Sequence, residues 1–299
     1  MAANRSIACR AFAKINLDLR VLGVRGDGYH ELRTTFQSIA LADDLTFTAS
    51  PGPFRIACDD PDCPTDARNL VWRAAELVWK SGRRRGVPRD VVVTIAKRIP
   101  IQAGLGGGSS DGAAAVRALA ALWRIRLTRA RLHSLAAGMG ADVPYFLEGG
   151  TVLGRDRGDR LGRLADQPRA WVVIAVPRFG VSTREAFSWW DREVGRPGRA
   201  GRATPGGPAG RAGQREISND LQAVVAKRHP IVSRLVAALE RQGAFQASLS
   251  GSGSAVFGLF TRRSHAERAA RALRRQGPRR LVLVTRTLTR RECSTLAAK

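Results

Sequence analysis

The sequence has no apolar run long enough to cross a lipid bilayer. Apolar stretches such as AWVVIAV at 170–176 are far shorter than the roughly 20 residues that a membrane-spanning helix needs. Residues 1–12, MAANRSIACRAF, lack the sustained apolar segment of a secretory signal. The chain is 44% hydrophobic, which excludes a disordered protein. We therefore expect a globular, cytoplasmic protein without a membrane partner.

Cysteine is scarce, and the few thiols are scattered along the sequence. The chain contains Cys9, Cys58, Cys63 and Cys293, and no histidine lies at a metal-ligand spacing from them. Cys58 and Cys63 could hold a metal ion only with two further ligands, which the sequence does not offer. We therefore predict reduced thiols without a metal centre.

Lysine is rare although the chain is strongly basic. The formal net charge is +25, yet lysine occurs only at positions 14, 80, 97, 227 and 299, so arginine carries nearly all of the positive charge. Aromatic residues make up 6% and do not alternate with the basic runs, as a stacking surface for single-stranded nucleic acid requires. We therefore predict no nucleic-acid partner, although a basic nucleic-acid-binding protein stays open as an alternative. A basic surface also attracts phosphorylated anions.

Strand and helix patterns follow one another irregularly along the chain. Apolar residues at every second position predict a strand over 11–21, and a turn follows at Gly26, Asp27 and Gly28. Further strands are predicted at 43–50, 90–99 and 281–288 and after the glycine-serine turn within 249–260, and helices at 69–82, 111–124, 128–138, 219–228, 230–242 and 264–276. This order lacks the steady rhythm of a doubly wound sheet, so we predict an α+β fold.

The chain length suits two domains, and we expect the change between them near 165–170. The predicted domains are 1–165 and 166–299. Residues 195–215 contain glycine, proline, alanine, arginine and little else. Such a composition cannot build a core, so it predicts a flexible insertion in the second domain.

A glycine-rich stretch runs directly into an alanine-rich one in PIQAGLGGGSSDGAAAV at 100–116. Glycine lets the backbone approach a ligand closely, and the free N–H groups at a helix start suit phosphate. No GK[ST] follows, and Ser109 stands where a G-x-G-x-x-G motif has its last glycine, so neither nucleotide motif is present. Phosphate binding and a tight structural turn both remain open for this stretch. The same two roles, phosphate binding and a tight structural turn, are open for a second stretch of small residues at 250–257.

Six segments together resemble the GHMP kinase superfamily. Besides the glycine-rich stretch, these are AKINLDLRVLGVRGDGYHEL at 13–32, TDARNLVWRAA at 65–75, GADVPYFL at 140–147, SNDLQAVV at 218–225 and LSGSGSAVF at 249–257. Their order and spacing resemble the branch that phosphorylates 4-(cytidine 5′-diphospho)-2-C-methyl-D-erythritol in the non-mevalonate route to isoprenoids. The nearest alternative is a GHMP kinase for another small alcohol, such as mevalonate or homoserine.

The resemblance implies a ribosomal-protein-S5-like domain followed by a ferredoxin-like domain, in a monomer or homodimer. It implies transfer of the γ-phosphoryl group of ATP, with Mg²⁺, to the tertiary 2-hydroxyl group of the acceptor. The implied nucleotide-binding residues are Pro100, Ile101, Gln102, Ala103, Gly104, Leu105, Gly106, Gly107, Gly108, Ser109, Ser110 and Asn69, with Ser110 as the Mg²⁺ ligand. Ala103 stands where the family often has glycine, and Asn69 also fits a helix cap.

Lys14 and Asp142 match the catalytic pair of this family. Asp142 would take the proton of the acceptor hydroxyl or orient that hydroxyl, although an aspartate before Pro144 also suits a plain turn. Lys14 would hold the carboxylate and steady the charge on the transferring phosphoryl group. An ammonium and a guanidinium are not interchangeable at a crowded site, so a lysine in an arginine-rich chain favours this role. The presence of both residues argues against a nonenzymatic descendant.

The same resemblance assigns cytidine recognition to Tyr29 and His30. A flat ring can stack on cytosine, and an imidazole can bind its polar edge. Phe187 is expected on the opposite side of the base. Asn16 and Thr183 complete the implied acceptor site. Mevalonate and homoserine carry no base, so these aromatic residues favour the cytidine-linked acceptor over the alternative.

Overall fold

The computed structural model describes residues 5–194, 219–277 and 280–297. The predicted insertion 195–215 lies outside the described residues. Two β-sheets with helices packed against them make up the described ranges. The four cysteines all lie within these ranges, and none of them forms a disulfide bond there. No helix within these ranges has both the length and the apolar character needed to cross a membrane.

The first sheet is built around a long antiparallel hairpin. Its strands are β1 (Ser6–Val24), β2 (His30–Pro53), β3 (Arg55–Cys58), β4 (Arg89–Ala96), β5 (Thr151–Asp156) and β6 (Arg160–Arg163), in the order β3-β4-β2-β5-β6 with β1 also paired to β2. The hairpin runs from Ser6 opposite Thr48 to Val24 opposite His30. It closes at the predicted turn, where Gly28 has a φ of +81°. The hairpin carries several of the predicted site residues at its closed end.

β2 is much longer than the strand predicted at 43–50. Residues 32–37 pair with β5, and the part of the strand beyond residue 43 pairs with β4. Residues 36–39 are all buried, so the polar-apolar alternation that marks a one-sided strand is absent there. The alternation of polar and apolar residues therefore predicted only the second half of β2.

A layer of helices covers the first sheet. The helices are α1 (Leu70–Ser81), α2 (Gly107–Leu122), α3 (Arg129–Met139) and α4 (Tyr145–Glu148), with α2 directly against β1 and β2. Asn69 caps α1, because its side chain accepts a hydrogen bond from the Val71 N–H at 2.9 Å. α2 starts before the predicted position 111, because Gly106 ends the loop in a left-handed conformation and the next two glycines are already helical.

The second sheet is antiparallel. Its strands are β7 (Trp171–Val176), β8 (Gln246–Leu249), β9 (Val256–Phe260) and β10 (Leu281–Arg286), in the order β10-β7-β9-β8, and its helices are α5 (Thr183–Val194), α6 (Asp220–Arg228), α7 (Ile231–Arg241) and α8 (Arg263–Arg275). A strand pair lies between the helices, and the last strand pairs with the first. This is the split arrangement of a ferredoxin-like domain, as expected for the second half of the chain.

A shared core joins the two sheets. Ile15 of the first sheet packs in one buried cluster with Ile174 and Phe257 of the second, and Leu105 of the glycine-rich segment belongs to the same cluster. Burial of these side chains fixes the glycine-rich segment relative to both sheets.

The end of the chain returns to the first sheet. The Leu288 N–H donates to the Ser38 carbonyl at 2.8 Å, and α9 (Arg290–Ala297) packs beside β1. The predicted boundary at 165/166 falls between β6 and β7. Residues 288–297 of the predicted domain 166–299 therefore lie against the first sheet.

Candidate active site

The glycine-rich segment 100–108 leads into α2 and lines a cavity of about 980 Å³. Gly104 and Gly106 have φ values of +75° and +73°, which favour glycine. α2 begins at Gly107, and no side chain caps its first turn. Among the described residues the first N–H groups of the helix therefore have no partner, and they lie at the cavity wall, where the positive end of the helix suits a phosphate group.

Hydrogen bonds hold this segment from two sides. The Lys14 N–H of β1 donates to the Leu105 carbonyl at 3.0 Å. From the second sheet, the Ala255 N–H donates to the Ala103 carbonyl at 3.0 Å. The turn of small residues at 250–257, called the second glycine turn below, therefore packs directly on the glycine-rich segment. This packing is the structural role, one of the two alternatives that the sequence left open for the turn.

Replacing Gly104 by alanine should destabilise the fold. A Cβ at this position would lie 2.1 Å from the Ser250 carbonyl oxygen, and the left-handed φ disfavours any L side chain. The obstructing atom belongs to the backbone, so a segment has to move, and we expect the free energy of unfolding to fall by about 2 kcal/mol or more. Thermal or urea unfolding measures this loss.

Gly108→Ala is the matched control for that variant. A Cβ at Gly108 meets no atom within 4 Å, and the position lies in the first turn of α2. Alanine is a better helix former than glycine, so this variant should be as stable as the parent protein or more stable. Equal stability of the Gly104→Ala and Gly108→Ala proteins would contradict the close approach at Gly104.

Lys14 and Asp142 form an ion pair, with the Lys14 Nζ 3.5 Å from the Asp142 Oδ2. The Lys14 side chain is 4% exposed and the Asp142 side chain 36%. The ammonium donates to the Asn16 Oδ1 at 2.6 Å and lies 5.7 Å from the centre of the Phe36 ring. The Asn16 amide in turn donates to the Thr34 hydroxyl at 2.8 Å. Asn16 thus fixes the ammonium, and its contact with the acceptor stays a prediction.

The Asp142 carboxylate faces the cavity from the turn between α3 and α4. Within the described ranges it makes no hydrogen bond to the backbone of that turn, which is closed by the Val143 N–H donating to the Gly140 carbonyl at 3.2 Å. An aspartate that served only to stabilise the turn would accept a hydrogen bond from its backbone. A carboxylate with one cationic neighbour and an open side has the arrangement that a general base needs.

A second buried lysine lies beside the start of α2. The Lys97 Nζ is 2.6 Å from the Asp43 Oδ2 and 3.0 Å from the Asp111 Oδ2. Burial alone would lower the pKa of Lys97, but the two carboxylates raise it above its ordinary value. Burial also raises the pKa of Asp111 to about 7, against the opposing effect of Lys97. This ionic cluster joins the residues just before the glycine-rich segment to β2 and α2.

This cluster was not predicted from the sequence, although the scarcity of lysine that singled out Lys14 also applies to Lys97. Lys80 and Lys227 are exposed, whereas Lys14 and Lys97 are buried at the cavity. The scarcity of lysine therefore pointed to two positions of the site rather than one. Asp43 and Asp111 carried no such signal, because their meeting depends on the packing of three separate elements.

Aromatic side chains form the wall at the other end of the cavity. The His30 and Phe187 rings are stacked, with centroids 4.4 Å apart and planes at 21°. The His30 Nε2 lies 2.7 Å from the Asp191 Oδ1. Tyr29 is 57% exposed, and the Arg157 guanidinium lies 5.3 Å from its ring centre. His30 and Phe187 stack on each other directly, and the placement of Phe187 on the side of the base opposite Tyr29 stays a prediction. Asp191 and Arg157 were not predicted.

Thr183 and Asn69 both line the cavity wall. The Thr183 hydroxyl is 3.3 Å from the Ser252 hydroxyl of the second glycine turn. The Asn69 amide donates to the Pro64 carbonyl at 2.6 Å in addition to capping α1. Both polar ends of Asn69 are therefore engaged inside the protein, and its contact with the nucleotide stays a prediction.

The cavity brings together every predicted site residue except Ser110. Those lining it are Lys14, Asn16, Tyr29, His30, Asn69, Pro100, Ile101, Gln102, Ala103, Gly104, Leu105, Gly106, Gly107, Gly108, Ser109, Asp142, Thr183 and Phe187. Ser110 is 3% exposed, and its hydroxyl donates to the Phe12 carbonyl at 2.8 Å on the side of α2 that faces β1. The prediction of Ser110 as a nucleotide contact and Mg²⁺ ligand is therefore not supported by this geometry.

The donor groups at the cavity do not form a cage for a divalent cation. No group of three or more histidine, cysteine, aspartate or glutamate side chains within the described ranges could hold a metal ion. Mg²⁺ often takes most of its ligands from substrate phosphates and water. A Mg²⁺ ion bound together with ATP would therefore be held mainly by the phosphate groups and water.

Comparison with known proteins identifies two family domains in the chain. Residues 69–150 match the GHMP kinases N terminal domain, and residues 207–279 match the GHMP kinases C terminal domain. A mevalonate kinase of L. major in complex with R-mevalonate has the same fold, with a TM-score of 0.66 at 16% identity over 96% of this chain and 97% of that one.

Closer relatives carry one common name. A 4-diphosphocytidyl-2-C-methyl-D-erythritol kinase of Moorella thermoacetica is 41% identical over 93% of this chain and 98% of its own length. The crystal structure of a 4-(cytidine 5′-diphospho)-2C-methyl-D-erythritol kinase matches with a TM-score of 0.74 at 35% identity, over 94% of this chain and all of that one. The chain therefore belongs to the GHMP kinases and, within them, to the family of the 4-diphosphocytidyl-2-C-methyl-D-erythritol kinases.

Proposed function

We propose that this protein transfers the γ-phosphoryl group of ATP to the 2-hydroxyl group of 4-(cytidine 5′-diphospho)-2-C-methyl-D-erythritol. One observation carries the proposal. Lys14 joins the two halves of the site, because its N–H binds the glycine-rich segment at Leu105 and its ammonium pairs with the Asp142 carboxylate. A triphosphate on the free N–H groups of α2 therefore ends near the carboxylate that receives the acceptor.

In the proposed reaction the acceptor oxygen attacks the γ-phosphorus atom. A bond forms between them, the bond from phosphorus to the β–γ bridging oxygen breaks, and ADP leaves with that electron pair. The hydroxyl proton passes to Asp142. Phosphoryl transfer depends mostly on positioning and charge stabilisation, which the α2 N–H groups and the Lys14 ammonium supply.

Cytosine is proposed to bind at the aromatic end of the cavity. Tyr29 offers an exposed ring, and the stacked pair of His30 and Phe187 offers another flat face. Asp191 holds the His30 ring through its Nε2, which fixes the orientation of the imidazole. The base would lie against these faces rather than between His30 and Phe187.

A phosphate-transfer assay across a panel of alcohols tests the function. The panel contains the cytidine diphosphate-linked methylerythritol, methylerythritol without that group, mevalonate and homoserine, each with ATP. We expect turnover of the first compound at a rate at least a hundredfold above the others, because only this compound fills the aromatic end. Equal or faster turnover of mevalonate or homoserine would instead favour a kinase for another alcohol.

Replacing Tyr29 by alanine should weaken binding of the acceptor and leave binding of ATP nearly unchanged. Stacking of a base on an aromatic ring contributes about 1–3 kcal/mol, so we expect the KM for the acceptor to rise about tenfold. The KM for ATP should change less than twofold. Phe245→Ala is the control, because Phe245 is 60% exposed and lies outside the cavity. An equal rise in both KM values of the Tyr29→Ala protein would place the tyrosine elsewhere.

A further inference from the structure

Most of the cationic side chains on the cavity wall form an ion pair with an acidic side chain, but one does not within the described residues. Five lysine and arginine side chains line the cavity. Four of them pair with aspartates: Lys14 with Asp142 at 3.5 Å, Lys97 with Asp43 at 2.6 Å, Arg68 with Asp66 at 2.8 Å and Arg157 with Asp159 at 2.6 Å. The fifth, Arg184, has neither a hydrogen bond nor an ion pair with any residue that the structure describes.

The acidic side chains of α5, the helix that carries Arg184, are engaged with other partners. Glu185 accepts hydrogen bonds from the Ser182 hydroxyl and N–H at 2.6 and 3.1 Å. Asp191 holds His30, and Glu193 pairs with Arg228 at 2.6 Å. The three acids of α5 are thus occupied. The charge of Arg184 is left uncompensated within the described residues.

Arg184 belongs to the acceptor half of the cavity. It follows Thr183, whose hydroxyl faces Ser252 at 3.3 Å, and it precedes Phe187, which stacks on His30. The side chain is exposed, so it can reach a ligand in the cavity without first losing a protein partner. The glycine-rich segment, which suits the donor triphosphate, carries its own N–H groups and has Lys14 and Lys97 beside it.

We infer that Arg184 binds the diphosphate group of the acceptor and makes the site prefer a cytidine diphosphate over cytidine. The inference rests on the proposed function for the identity of the acceptor. A guanidinium presents its N–H groups as a planar fork that matches phosphate oxygens, and bonds between charged partners are the stronger hydrogen bonds. An unpaired arginine supplies this attraction in full, whereas the paired arginines already share their charge with an aspartate.

The test measures binding of two probes, cytidine 5′-diphosphate and cytidine, by calorimetry. A saturating nonhydrolysable ATP analogue keeps the donor site filled, so the probes report on the acceptor site alone. Arg184→Gln should weaken binding of cytidine 5′-diphosphate about tenfold and change cytidine binding less than twofold. Arg184→Lys keeps the charge but lacks the planar fork, so its affinity for cytidine 5′-diphosphate should lie between those of the unaltered and the Arg184→Gln proteins. The advantage of the diphosphate in the unaltered protein should also fall as salt is raised.

Arg192→Gln is the matched control on the same helix. Arg192 is exposed, lies outside the cavity and donates to the Ser188 carbonyl at 3.2 Å, so its loss should leave both probes unaffected. An unchanged preference for the diphosphate in the Arg184→Gln protein would overturn the inference, as would an equal loss for both probes. The alcohol panel tests the proposed function separately, because failure of transfer in the unaltered protein leaves this binding comparison intact.

Discussion

Asp142→Asn is expected to lower turnover by roughly 10²- to 10⁴-fold while the KM for ATP stays nearly unchanged. The asparagine has the same shape as the aspartate but cannot accept the hydroxyl proton, and a positioned base contributes a factor of this size. The residue pairs with Lys14 and makes no hydrogen bond with the glycine-rich segment within the described ranges. The loss should therefore fall on turnover rather than on nucleotide binding. Steady-state kinetics with each substrate varied in turn separates the two effects.

Asp66→Asn is the control for that variant. Asp66 is an exposed acid that pairs with Arg68 on the rim of the cavity and does not line it. Exposed ion pairs contribute little, so turnover should stay within about twofold of the parent value. Turnover of the Asp142→Asn protein within the same range would remove Asp142 from the role of base. A comparable rise in the KM for ATP would mean that Asp142 acts through the glycine-rich segment.

Local features of the site were predictable because they depend on neighbouring residues. The glycine-rich segment and the helix after it follow from residue preferences within one short stretch. Asn69 was expected as a cap on α1, and its side chain accepts the bond that a cap requires. The ferredoxin-like order of the second sheet followed from the resemblance and is confirmed.

The orientation of Ser110 could not be read from the sequence. Gly107, Gly108 and Asp111 share one face of α2, because residues three and four apart are neighbours on a helix. Ser110 lies on the face that packs against β1, where the Phe12 carbonyl accepts its proton. Assigning these faces requires the first residue of the helix, and the predicted start at 111 differed from the true start at Gly107.

Contacts between segments that are distant in the sequence could not be predicted from it either. Asp43 on β2 and Asp111 on α2 meet at Lys97 only because the sheet and the helix pack together. The stacking of His30 on Phe187 joins the first hairpin to α5 in the same way. Sequence periodicity reports which side of an element is buried, but it does not report which element covers that side.

Lys14→Arg is expected to lower turnover at least a hundredfold although the charge is kept. The Lys14 side chain is tightly packed on two sides: a Cβ on Gly106 would be 3.2 Å from its Cγ, and a Cβ on Gly251 would be 3.2 Å from its Nζ. The larger planar guanidinium has to displace one of the two glycine turns or the Asp142 carboxylate. Either movement separates the carboxylate from the phosphate-binding helix start.

Two further variants distinguish shape from charge in this effect. Lys80→Arg makes the same exchange at an exposed position of α1 and should leave turnover unchanged. Lys14→Met keeps the approximate length of the side chain but removes the ammonium, so it should also lose at least a hundredfold, because the transferring phosphoryl group loses its cation. Turnover of the Lys14→Arg protein above a third of the parent value would show that charge alone suffices. The close packing of Lys14 between the two glycine turns would then have no part in the reaction.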